Sequence, residues 1–259
     1  MSWFVLIFLS FIEGLTEFLP ISSTGHLILA SAWLGLNEDQ FVQSFNIVIQ
    51  FGAILSVLAV YWRRFIPIRV DFYTKIFIAF LPAATLGFLL KDQLEPLLGS
   101  VNVVAWALFV GGFVLILMDR RAERIEPSLT IQNMSWKQSL VLGLVQCLAL
   151  IPGVSRAGAT ILGGLSLRLS REEATEFSFF LAVPTLTAAA LYKTWKIAPT
   201  IEVSQISDLL IGTFLSFVFA WLAIRFFIGL VKRYGLQHFG WYRIVLGLTI
   251  FLALSQGWL

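Results

Sequence analysis

Apolar runs that approach the ~20 residues a helix needs to cross a bilayer recur along the whole sequence. Six of them, at about 42–62, 72–90, 101–118, 174–195, 208–230 and 241–257, are bounded by charged or turn residues and predict full transmembrane helices. Two further segments, 3–36 and 138–168, are apolar on both sides of a polar interruption, "LPISSTG" in the first and "IPGVSRAG" in the second. Pro and Gly at such points end a helix, so each segment predicts two half-helices. The expected fold is an all-α integral membrane protein, a helical bundle of about six transmembrane helices plus two re-entrant broken helical pairs.

Charge placed on the joints orients this bundle, because cytoplasmic loops carry an excess of Lys and Arg. Arg63, Arg64 and Arg69 put the first full loop inside, Arg120, Arg121, Arg124 and Lys137 return inside, and so do Arg168 and Arg171, then Arg225, Lys232 and Arg233. The stretch "KDQLEP" at 91–96 and the joint with Glu38 and Asp39 then fall outside. Lys193 and Lys196 fall outside too, against the rule. With this alternation the two broken segments enter from opposite sides, which is the pattern of an inverted-topology repeat, approximately 1–130 and 131–259 within one transmembrane domain. A faint echo supports it: Ser44–Phe45 and Trp62 recur as Ser178–Phe179 and Trp195, and Gly25 recurs as Gly158.

Composition narrows the picture further. The chain of 259 residues is 58% hydrophobic and 13% charged, with a mean hydropathy of +0.87, far from the balance of a soluble domain. A single cysteine, Cys147, excludes an internal disulfide. No Lys or Arg precedes Arg63, so the apolar N-terminus lacks the cationic head of a secretory signal and is expected to be retained. The net charge of +3 sits in the loops, which suits membrane lipids as partners and not nucleic acid. The aromatic residues are expected to face lipid and the interfaces for the most part. Oligomeric state is not specified, and a homodimer stays open.

The chemistry concentrates at the two breaks. Irregular backbone at membrane depth is tolerated where it lines a cavity, and paired broken segments point to a site. Half-helices beginning near Ser23 and near Arg156 would aim backbone N–H groups and positive dipole ends into one pocket, which suits an anion. Ser22, Ser23, Thr24 and Ser155 add hydroxyls, and Arg156 adds a guanidinium fork that matches phosphate oxygens. Glu13 and Glu17 are four residues apart on one helical face, where two carboxylates repel unless a cation or a shared proton intervenes. A hard divalent cation, Mg²⁺ or Ca²⁺, suits that pair. His26 lies three residues after Ser23, expected within reach of its hydroxyl, where an imidazole can act as base or accept a phosphoryl group. Gln146, at the position echoing Glu13, either completes a metal shell or joins helices, and Gln50 reads more readily as helix glue.

These residues resemble the undecaprenyl pyrophosphate phosphatase family of bacteria, the bacitracin-resistance type of integral membrane phosphatase, over essentially the whole chain. "EGLTEFLPISSTGH", with Glu13, Glu17, Ser22, Ser23, Thr24 and His26, matches the family's E/Q-x-x-x-E element and the serine–histidine loop after it. "PGVSRAGAT", with Gly153, Ser155, Arg156, Gly158 and Thr160, matches its arginine-bearing motif, departing only at Ala157, where the family often has Ser. The resemblance implies hydrolysis of a polyprenyl diphosphate to the monophosphate and inorganic phosphate, with divalent metal dependence. It also implies a multi-pass protein of the bacterial cytoplasmic (inner) membrane, its site open to the external face, recycling a lipid carrier for peptidoglycan synthesis. On this reading Glu13 and Glu17 hold the metal, and Ser155, Arg156 and Thr160, with Ser22 and Thr24, bind phosphate. Glu17, Ser23, His26 and Arg156 form the reacting centre, with the nucleophile open between Ser23, His26 and water. The competing class is a polyprenyl-phosphate flippase, because inverted repeats around a midplane site also serve alternating access.

Overall fold

The computed structural model describes residues 1–199 and 201–258, with Glu95 described by its backbone alone. Helices α1 (Trp3–Thr16) and α2 (Ser23–Trp33) form the first broken pair. They are followed by α3 (Gln40–Val48) and α4 (Gln50–Val60), the short α5 (Trp62–Phe65), α6 (Val70–Leu89), the short α7 (Lys91–Leu94) and α8 (Val101–Glu123). The second pair is α9 (Trp136–Gln146), continued by a 3-10 turn over Cys147–Leu150, and α10 (Arg156–Ser166). Helices α11 (Arg171–Ile197), α12 (Val203–Tyr234) and α13 (Gln237–Ser255) complete the chain. A broken pair followed by three spans thus occurs twice, with the junction in the loop after α8.

Among the described residues, six helical stretches are long and apolar enough to cross a membrane, and they overlap all six expected spans. The first, Gln40–Val60, is interrupted at Ile49, so it is two helices in one span. Helix α12 overruns its expected span: at 1.5 Å per residue its length is about 48 Å, beyond a hydrocarbon core of about 30 Å. Its first turn is held by reciprocal Glu202–Gln205 capping, so polar residues outside the apolar run stay helical.

The long helices pack where small residues let backbones approach. A Cβ on Gly14 of α1 would lie 2.6 Å from the Ser216 carbonyl oxygen of α12. Likewise, one on Gly112 of α8 would lie 2.6 Å from the Gly240 carbonyl oxygen of α13. Aromatic residues are mostly exposed or half-buried, as expected, but a minority of Phe fills the interior. Trp3, Trp62, Trp195 and Phe226 are exposed, whereas Phe18, Phe177, Phe179, Phe180 and Phe227 are fully buried in the core cluster around α11, and Phe45 is buried in a second cluster against α1 and α12. Hydropathy does not separate the two groups, because lipid and protein interior are equally apolar.

The arginine-rich loops gather at one end. Arg171 Nε donates to Asp119 Oδ1 at 2.6 Å, while Asp119 Oδ2 accepts from the backbone N–H of Leu236 at 3.0 Å, which pins α8, α11 and the α12–α13 corner together. Lys75 Nζ donates to the Ile131 and Gln132 carbonyls at this end, just before α9. At the opposite end the terminal ammonium of Met1, next to α1, meets Asp208 of α12 at 3.0 Å. Helices α1 and α9 therefore enter from opposite ends, and their broken tips meet between them.

Candidate active site

Each break is built the same way. Ser22 takes a positive φ of 70° and its Oγ accepts the Gly25 N–H at 3.2 Å; Ser155 takes φ 76° and its Oγ accepts the Gly158 N–H at 3.0 Å. Positive φ is uncommon and costly for a residue with a side chain. Here it turns the chain sharply into α2 and α10, so that both helix N-termini open at the junction. The Gly25–Gly158 echo is thus the same serine-capped corner made twice.

Arg243 of α13 holds the corners together. Its Nη1 donates to the carbonyls of Pro20 and Val154 at 3.1 and 3.0 Å, and its Nη2 to those of Ala107 and Gly153 at 2.9 and 3.0 Å. The side chain is 2% exposed, and no carboxylate among the described residues pairs with it. Its charge is balanced by carbonyl dipoles and lies directly behind both breaks.

In front of the clamp, Glu17 and Arg156 meet across 139 positions of sequence, with Arg156 Nη2 3.0 Å from Glu17 Oε1 and both side chains buried. Ser23 Oγ donates to the other carboxylate oxygen of Glu17. Arg156 Nη1 donates to the carbonyl and hydroxyl of Ser178 on α11 at 2.7 and 3.1 Å, and Thr160 donates to the same hydroxyl at 2.6 Å. The guanidinium also lies over the Phe18 ring, 5.8 Å from its centroid. Its Nε is buried and has no hydrogen-bond partner.

These groups stand at the inner end of a cavity of about 450 Å³. Glu17, Ser22, Ser23, Thr24, Ser155, Arg156 and Gln146 all line it, as does Gln50, which the sequence reading had favoured as helix glue. Ile47, Ala83, Leu150 and Leu186 supply apolar wall, and Thr185 donates to Gln146 at 3.4 Å.

Three of the expected site residues are not in the wall. Thr160 is 1% exposed, and its hydroxyl is spent on Ser178 and on its own helix, so it acts on the cavity only through the group that holds Arg156. His26 turns toward α13: its Nδ1 contacts the Ser22 carbonyl at 2.7 Å and its Nε2 the Tyr242 hydroxyl at 2.7 Å. A carbonyl only accepts, so Nδ1 carries the proton and, in the neutral ring, Nε2 accepts from Tyr242. The expected Ser23–His26 contact is not made, because the Ser23 hydroxyl is engaged by Glu17. Glu13 lies one turn before Glu17 on α1, fully buried, and neither of its oxygens has a hydrogen-bond partner.

That orphaned carboxylate tests the expected cation. Since Arg156 already pairs with Glu17, the unmatched group is the Glu13 carboxyl, and a cation shared with Glu17, or a proton shared between the two, would satisfy it. Among the described residues no three or more His, Cys, Asp and Glu side chains are grouped so as to hold a metal ion. The protein would therefore supply two carboxylates and leave the rest of the shell to hydroxyls, amide oxygens, water or phosphate, a donor set that fits a hard, oxygen-seeking ion.

Sequence reasoning missed Arg243, Ser178 and Tyr242. Arg243 had a signal, a charge inside the apolar run 241–257, where it closes the basic stretch "KRYGLQHFGWYR". Ser178 had only its place in the Ser–Phe echo.

Comparison with known proteins points to one family. The chain is 54% identical over 258 residues to the undecaprenyl-diphosphatase of Bdellovibrio bacteriovorus, covering 99% of this chain and 98% of that protein. It is 45% identical over 249 residues to the undecaprenyl-diphosphatase of Flavobacterium johnsoniae, covering 95% and 94% of the two chains. With that of Porphyromonas gingivalis it shares 45% identity over 272 aligned positions, covering 96% of each. The family model described as bacitracin resistance protein BacA matches residues 6–249. A match of that extent, joining both breaks and all six spans, means that the chain belongs to the bacitracin resistance protein BacA family.

Proposed function

We propose that this protein hydrolyses undecaprenyl or a similar polyprenyl diphosphate to the monophosphate and inorganic phosphate. It does so within the bacterial cytoplasmic membrane, from a cavity open to the external face, and so recycles the lipid carrier of peptidoglycan synthesis. The observation that carries this reading is the meeting of Glu17, Ser23 and Arg156 at the inner end of one cavity. A hydroxyl aimed at a carboxylate, beside a guanidinium, is the equipment of phosphoryl transfer.

Ser23 Oγ attacks the terminal phosphorus as its proton passes to Glu17. The bond from that phosphorus to the bridging oxygen breaks, and polyprenyl monophosphate leaves. Glu17 passes that proton to the departing monophosphate, and water then attacks the phosphorus held on Ser23, its proton going to Glu17 and on to Ser23 Oγ as inorganic phosphate is released. Arg156 and the N-termini of α2 and α10 stabilise charge on the transferring group, where low dielectric makes such terms large. Ser178 holds Arg156 and Thr160 holds Ser178, while His26 fixes the Ser22 carbonyl and so the first corner. Glu13 and Glu17 would hold a divalent cation, whose bound charge would further neutralise the phosphates.

The test is phosphate release from a long-chain prenyl diphosphate in non-ionic detergent micelles, where translocation has no meaning. Metal-dependent release is expected. Arg156→Ala, recovered folded by size-exclusion chromatography, should lose at least ~10²-fold in kcat. Release at near-parental rates from that variant would remove Arg156 from the reacting centre. No release from the parent protein would favour the flippase reading. Trapping phosphate on Ser23 separates the covalent route from direct attack by water, for which Glu17 is equally placed.

A further inference from the structure

Of the 18 Lys and Arg residues, only Lys91, Lys193 and Lys196 lie at the end of the bundle opposite the arginine-rich loops. All three line the mouth of the same cavity whose inner end holds Arg156 and Ser23. Among the described acidic side chains at that end, Asp92 shares the wall, while Glu38, Asp39, Glu202 and Asp208 do not. Lysines on that face oppose the positive-inside bias. The helix dipole accounts for cations near the ends of α6 and α11, but that term has no preference for the cavity side over the lipid side.

Distance decides what these lysines can do. Arg156 is held by Ser178, and Lys193 and Lys196 follow it on α11 by 15 and 18 positions, about 22–27 Å along a helix. A diphosphate group spans about 5 Å, so one held at Arg156 is out of reach of the mouth, and screening over ~8 Å removes any direct effect on the reacting phosphorus. Lys193 and Lys196 stand in the last turns of the α11 span and Lys91 just past the end of the α6 span, where the headgroup of a lipid would first present its charge.

We propose that Lys91, Lys193 and Lys196 form an outer phosphate subsite, distinct from the Glu17–Arg156 centre, through which phosphate-bearing ligands enter or leave the cavity. The ligand class is a phosphate or diphosphate, as a lipid headgroup arriving or as free phosphate departing. This inference rests on the proposed hydrolysis and assigns the mouth a part in it.

The experiment compares Lys91→Gln/Lys193→Gln/Lys196→Gln with Arg63→Gln/Arg69→Gln/Arg121→Gln, which removes the same charge at the other end. In non-ionic micelles at low salt the lysine variant should lose about tenfold in kcat/KM on a prenyl diphosphate, much more than it loses in kcat. Its kcat/KM should also lose most of its dependence on NaCl, and the arginine variant should keep the parental dependence. If the subsite serves the departing product, the inhibition constant of inorganic phosphate rises in the lysine variant. If it serves only the arriving headgroup, that constant is unchanged while kcat/KM falls. Parental kcat/KM, salt dependence and phosphate inhibition in the lysine variant would overturn the subsite. Should the parent protein release no phosphate, the hydrolase reading fails separately. The subsite is then read by the thermal shift that inorganic pyrophosphate gives the parent; an equal shift in the lysine variant overturns it.

Discussion

Arg243→Lys tests the clamp that joins the two breaks. In the parent, two guanidinium nitrogens each donate to two carbonyls, so four acceptors are tied to one side chain: Pro20 from the first break, Gly153 and Val154 from the second, and Ala107 from α8. Lysine keeps the charge but places its protons on one nitrogen, which can occupy one of those two positions and not both. At least two hydrogen bonds from a charged donor are lost, at about 1.5–3 kcal/mol each, or roughly 3–6 kcal/mol in total. At roughly 2–4 °C per kcal/mol for a chain of this size, the midpoint of thermal unfolding in detergent should fall by on the order of 10 °C. Phosphate release should fall as well, since the Nη2 and Nη1 bonds together set how closely Ser23 approaches Arg156. The assay is a melt followed by intrinsic tryptophan fluorescence beside a phosphate-release measurement at a temperature where both proteins are folded. A lysine variant that melts within ~2 °C of the parent would refute the clamp, because a single ammonium cannot make all four bonds and their loss would then have cost nothing.

Other substitutions read other parts of the site. Ser155→Ala keeps the strained φ of 76° and loses the cap on Gly158, whereas Ser155→Gly relaxes the strain and loses only a few tenths of a kcal/mol of capping. The alanine variant should therefore be the less stable of the two by ~1–2 kcal/mol in denaturant or thermal melts, and the reverse order would contradict the corner geometry. Glu13→Gln removes the carboxylate that no group in the protein satisfies, so the variant should melt no lower than the parent in the presence of chelator. It should also lose the rise in melting temperature that added Mg²⁺ or Ca²⁺ gives the parent, by the linkage of binding to stability. An undiminished metal-induced shift in this variant would take Glu13 out of the cation site.

Much of this molecule is legible along the chain for a simple reason. Transfer of a helix into lipid depends on local hydropathy and length, so the six spans and the two breaks follow from residues near each other in sequence. The candidate site was half legible in the same way. Glu17, Ser23, Thr24 and Arg156 stand beside Pro, Gly and Ser at membrane depth, where polar chemistry is too costly to be incidental. Their direction was not legible. Spacing placed Ser23 near His26, yet a carboxylate reached first, and the imidazole turned to Tyr242, 216 positions away.

Sequence alone determined a membrane bundle with two interrupted helices carrying carboxylates, hydroxyls and an arginine, because helix propensity and lipid transfer are local quantities. Only the tertiary structure decided that Arg156 is partnered by Glu17 and Ser178, that Glu13 is left without a partner, and that Arg243 ties the two corners. Each of those pairings joins residues from different helices. A buried charge is satisfied by whichever donor or acceptor the packing brings within about 3 Å, and that depends on the arrangement of the whole bundle.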